Sequence, residues 1–134
     1  MIVTDTHSLV WYLTGPDHLS PAALDALRKA EDEDGGIIVP AMLLAEVGQL
    51  AVLKRRGFVA TDYHVVRDAV LSPDVPGLTL APFTASAAEH VFTLAETLRD
   101  PFDLCITATA VDLGLPLVTA DRIISASGAV STVW

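Results

Sequence analysis

The chain has 134 residues, 51% of them hydrophobic, which is enough to bury a core and argues against disorder. Its 17 acidic against 8 basic residues give a formal charge of −9. That balance argues against a protein that grips nucleic acid through a broad basic face, but not against one that reaches phosphodiesters through a bound cation.

No uninterrupted apolar run attains the roughly 18–20 residues of a membrane span. The opening MIVTD carries no basic leader, and Cys105 is the sole cysteine. A cytoplasmic protein with one domain over residues 1–134 is therefore expected. Residues 2–4 predict a short strand ending at Asp5, then an apolar helix through Leu9, Val10, Trp11 and Leu13 that Gly15-Pro16-Asp17 breaks. Ser20-Pro21 offers a serine N-cap and a first-turn proline for a second helix carrying Leu24 and Leu27. The acidic run at 30–34 reads as a solvated helix end and loop.

Ile37-Ile38-Val39, between Gly36 and Pro40, predicts a buried strand. A helical pattern then runs from Ala41 to Arg56, closed by Lys54, Arg55, Arg56 and Gly57. Cations in a last turn suit a helix C-terminus, so these three are read as structural and not as an RNA patch. Further helices are predicted over 61–71, 84–98 and 101–113, with 78–80 as an edge strand. Leu117-Val118-Thr119 is a strand, a short helix begins near Asp121, and the segment 130–134 is a final strand. This alternation implies an α/β domain with a mainly parallel sheet of four or five strands. Ligand sites in such sheets form beyond the carboxyl ends of the strands, where Asp5 and Asp121 fall.

Each acidic candidate also has a structural role open to it. Asp5 and Asp121 are placed to cap helices. In Asp100-Pro101-Phe102-Asp103, Asp100 reads as an N-cap and Asp103 as an N3 carboxylate favoured by the helix dipole. Glu46 has a weaker excuse: Met42, Leu43, Leu50 and Leu53 share its helix face, so it is either an edge residue reaching water or a buried carboxylate needing a partner. Gathered at one rim, the four would repel one another, and a hard divalent cation would relieve them. Oxygen ligands without His or Cys favour Mg²⁺ or Mn²⁺ over Zn²⁺.

The segments IVTDTHSLVWYL, VPAMLLAEVGQL and RDPFDLCITATAVDLGLPLVTADRII resemble the PIN-domain family, and more narrowly its VapC toxins of bacterial toxin–antitoxin pairs. The stretch from Asp100 to Asp121 is the most specific part. The resemblance implies a three-layer α/β/α domain and a metal-dependent endoribonuclease whose acidic quartet is Asp5, Glu46, Asp103 and Asp121, holding Mg²⁺ or Mn²⁺. It implies Thr119 and Thr6 as hydroxyls near the metal, and leaves Asp100 as a cap or a supporting carboxylate. It further implies an RNA substrate, a VapB-like antitoxin, a homodimer, and contact with DNA only through the antitoxin. One departure is Leu104, where relatives carrying this motif usually have arginine.

Other features are read as structural: Cys105 as a small core residue, Trp11, Trp134, Phe92 and Phe102 as packing residues, and His7 as a supporting or surface group. Two other functions are weighed. An aspartyl-phosphate phosphotransferase or phosphatase would use Asp5 as nucleophile and want a late lysine, yet none follows Lys54. A non-catalytic binding module is the other alternative. No glycine-rich dinucleotide loop follows the first strand.

Overall fold

Five short strands pair in parallel, in the order β3-β2-β1-β4-β5, in a computed structural model that describes residues 1–33, 36–72 and 75–134. They are β1 (Ile2–Thr4), β2 (Ile37–Pro40), β3 (Leu78–Ala81), β4 (Leu117–Val118) and β5 (Thr132–Val133). Helices α1 (Thr6–Thr14), α2 (Pro21–Glu31), α3 (Ala41–Leu53), α4 (Ala60–Leu71), α5 (Ala85–Leu94), α6 (Pro101–Leu113) and α7 (Arg122–Ser127) make the crossovers and flank the sheet on both sides. The arrangement is the expected α/β/α sandwich, with a wholly parallel sheet.

The centre of the sheet is apolar on both faces, as a parallel sheet covered by helices requires. Val3, Ile37 and Leu117 are fully buried, and Leu9, Leu27, Leu43, Ile106 and Ile124 press on them from the helices. Ser20 caps α2 through the Ala23 N–H, with Pro21 in the first turn. Glycine is required at Gly77, where φ is +81° and a Cβ would lie 2.7 Å from the Glu31 carbonyl. The end of α2 can therefore sit directly over the turn that feeds β3.

Several boundaries differ from the expectation, and the final strand is cut to Thr132–Val133. The α3 helix stops at Leu53, not Arg56: Lys54 takes a left-handed conformation (φ 51°), and the Arg55 N–H closes on the Leu50 carbonyl. Arg56 is left-handed too (φ 52°), and the buried Phe58 anchors the returning chain. The α5 helix ends at Leu94 and a turn follows, which buries Leu98. Strand β4 is two residues long, although the Thr119 N–H still bonds the Val133 carbonyl. Of the aromatic residues read as packing, Phe92 is instead 86% exposed, while Trp134 is 42% exposed and packs on Trp11. In the acidic run, Glu31, Asp32 and Glu33 are exposed, while position 34 lies outside the described residues. Among the described residues, no helix is long and apolar enough to cross a membrane.

Candidate active site

Strand β1 ends by handing Asp5 to the carboxyl rim of the sheet, where its N–H bonds the Val118 carbonyl of β4. The Asp5 Oδ1 accepts the Ser8 N–H at 2.8 Å, so this residue is the N-cap of α1 and also faces the rim. Cap and site residue are one. Asp121 repeats the device: it caps α7 through the Ile123 and Ile124 N–H groups, at 2.6 and 3.1 Å. The Thr119 hydroxyl accepts the Asp121 N–H at 3.0 Å. Asp103 lies in the first turn of α6, one turn inside the Asp100 cap, which accepts the Phe102 and Asp103 N–H groups at 2.9 and 3.2 Å.

Glu46 is 3% exposed, so the reading of an edge glutamate reaching water fails. Its carboxylate accepts the Thr6 hydroxyl, and Arg56 Nη1 stands 3.7 Å from Oε1. Asp5, Thr6, Glu46, Asp103 and Asp121 line one cleft of about 280 Å³ together with His7, Trp11, Arg56 and Ala120. Thr119 and Asp100 are not among the lining residues: Thr119 holds the Asp121 backbone, and Asp100 caps α6 at the turn that carries Asp103.

The cleft is uncomfortable for negative charge. Burial pushes the Asp103 carboxyl up to about 7, and the neighbouring charges of Asp100, Glu46 and Asp121 push the same way against Arg56. Burial raises Glu46 as well, opposed first by the Thr6 hydrogen bond, with Asp100 adding to the rise. Asp5 is raised by burial, against hydrogen bonding from Ser8 and Thr119. Burial lowers the His7 imidazole, which the Asp5 charge partly restores.

This donor set fits a hard divalent cation in its chemistry. It is all oxygen, and its raised carboxyl groups record anionic charge that the protein leaves incompletely compensated. As they stand, no three acidic, histidine or cysteine side chains among the described residues converge into ligating geometry. The carboxylates are turned instead toward the Ser8 N–H, Thr6, Arg56 and the start of α7.

Arg56 escaped the sequence reading, which assigned it to a helix end. Nothing in the local pattern marks a non-glycine residue that turns left-handed and folds back over Glu46. Leu104 packs against the core, so the guanidinium facing these carboxylates comes from the turn after α3 and not from α6. Cys105 is half-buried, and burial raises its thiol, as for an inert side chain.

The sequence profile of the PIN domain matches residues 2–128. Comparison with curated proteins gives no match. Among solved structures, FitAcB from Neisseria gonorrhoeae is similar at 19% identity and a TM-score of 0.64, over 98% of this chain and 96% of that one. VapC20 from Mycobacterium tuberculosis, described as a sarcin-ricin loop cleaving toxin, is similar at 16% identity and 0.67, over 96% and 95%. VapBC2 from Rickettsia felis, solved on a DNA fragment from its promoter, is similar at 14% identity and 0.68, over 98% and 97%. At these identities the structures speak for the fold.

Proposed function

Because the match across residues 2–128 makes this chain a member of the PIN domain family, we propose that it is a metal-dependent endoribonuclease, the VapC-like toxin of a toxin–antitoxin pair acting in the cytoplasm. One observation carries the reading: four carboxylates from four separate elements line a single cleft at the carboxyl edge of a parallel sheet. Asp5, Glu46, Asp103 and Asp121 are the oxygen donors that would hold Mg²⁺ or Mn²⁺. Such an ion, when bound, supplies Lewis acidity and lowers the pKa of a bound water.

The chain's own groups prepare that cleft. Thr6 orients Glu46, Thr119 fixes the backbone of Asp121, and the start of α1 holds the Asp5 side chain at the rim. Arg56, half exposed beside Glu46, presents a guanidinium to the phosphate of an entering RNA. The solved VapBC and FitAB assemblies support a VapB-type antitoxin as protein partner; a homodimer and DNA contact through that antitoxin alone rest on the family likeness.

Purified protein should cleave RNA with Mg²⁺ or Mn²⁺ and stop in EDTA. Asp5→Asn and Asp103→Asn should each lose about a hundredfold or more in rate. Asparagine caps a helix as well as aspartate does, so Asp5→Asn should remain folded. Near wild-type cleavage by either variant removes that residue from the catalytic set.

A further inference from the structure

A second cavity opens beside the carboxylate cleft. It measures about 320 Å³ and lies between α1, the turn at Pro16–His18 and the segment after α3. The two spaces share His7, Trp11 and Arg56 as a common wall. Its remaining border sets rings and polar ends among Val10 and two glycines: Phe58 lies against His7 at 5.0 Å between centroids, and His18 against Trp11 at 5.9 Å. Asp62 offers a carboxylate there, with Oδ2 accepting the Val59 N–H. Trp11 is half-buried and also touches the rings of His7, at 5.3 Å, and Trp134, at 5.9 Å.

Resting on the nuclease reading above, we propose that this cavity is a nucleobase subsite. An RNA base flanking the bond to be cut stacks against Trp11, His18 and Asp62 meet its polar edge, and Arg56 holds the phosphate that joins it to the cleft. Three features carry the assignment. Rigid flat rings are the walls that a base face requires, and each base stacked on an aromatic ring contributes substantially to binding. The imidazole and carboxylate at the border supply the donor and acceptor that a base edge matches. Arg56 lies between the two spaces, which is where a backbone phosphate would sit if one nucleotide occupied both. A larger groove, about 710 Å³ between α3 and α4, carries Tyr63 and His64 among alanine, leucine, valine and glycine, but it shares no wall with the carboxylate cleft and has no arginine or lysine among its described lining residues to hold a phosphate.

The test reads the Trp11 indole N–H by ¹H–¹⁵N NMR of the full chain, with Trp134→Phe identifying the signal. The probes are the four nucleoside 5′-monophosphates, with ribose 5-phosphate as the base-free control, in EDTA and again with Mg²⁺. The Trp11 signal should shift saturably with at least one nucleotide, while ribose 5-phosphate leaves it in place. His18→Ala, a change at an exposed residue, should weaken that nucleotide by about fivefold or more. An equal response to ribose 5-phosphate means anion binding at Arg56 alone and overturns the proposal. So does a Trp11 signal indifferent to millimolar nucleotide, or one that only a protein partner moves. RNA cleavage by His18→Ala with unchanged base preference and affinity overturns the subsite and leaves the nuclease standing. Nucleotide binding at Trp11 without any RNA cleavage does the reverse.

Discussion

Asp103 keeps its proton to about pH 7 in the folded chain, whereas an unfolded aspartate releases it near the ordinary value of 3.8. Between those values the folded state binds more protons than the unfolded one, so stability falls as pH rises. Burial acts in the same direction on Asp5 and Glu46, and the three carboxyl groups together outweigh the opposite slope of the lowered His7 imidazole. The metal-free protein should therefore be more stable at pH 5 than at pH 8, in urea unfolding with EDTA present. Asp103→Asn removes the charge, and at pH 8 it should stabilise the metal-free chain by about 1–3 kcal/mol, held below the full electrostatic value because water partly screens the site. Mn²⁺ should raise the wild-type melting temperature most at pH 8, where the carboxylates are ionised, and should act less on Asp103→Asn. A wild type that is more stable at pH 8 than at pH 5 in EDTA contradicts this account of Asp103.

At the scale of single elements, α7 tests whether capping and chemistry can be separated. The helix has six residues, and Asp121 caps it with two hydrogen bonds. Asp121→Asn should keep the cap, with stability within about 0.5 kcal/mol of wild type, and lose RNA cleavage. Asp121→Ala should lose cleavage and also about 1 kcal/mol of stability. Cleavage retained by Asp121→Asn would leave the residue a cap alone. Elements such as α2 and α6 were legible in the sequence because Ser20-Pro21 and Asp100-Pro101 state a cap and a first turn in adjacent residues. The end of α3 was not. Gly57 looked like the stop, but Lys54 and Arg56 take the left-handed conformation that glycine usually marks. That misreading hid Arg56, the cation beside Glu46, since its position depends on a turn and not on a periodicity. The four carboxylates could be named and expected at one rim from the resemblance and the parallel-sheet pattern; the strand order that brings them to one cleft is not contained in any local pattern.

For the whole molecule, a charge of −9 means that the RNA of the proposed function approaches against a repulsive field, relieved at Arg56 and, once a divalent cation is held there, at the cleft. A protein that binds through 6–10 phosphate contacts loses roughly 10³–10⁵ in affinity between 50 and 200 mM salt. Here few counterions are released, so the KM for RNA cleavage with Mn²⁺ should change by less than about tenfold over that range. A steep loss would reveal a basic surface contributed by some other copy or partner. Strand β1 carries a consequence of a different kind. It pairs through Thr4 with Val118, so the sheet joins segments near opposite ends of the chain. While the polypeptide is being synthesised, Asp5 and Glu46 leave the ribosome long before Asp103, Asp121 and the strand that ties Asp5 in place. Closing so long a loop is among the slow steps of folding. On the proposed function, the carboxylate cleft is thus put together late, and a chain still in the making should not yet cleave RNA.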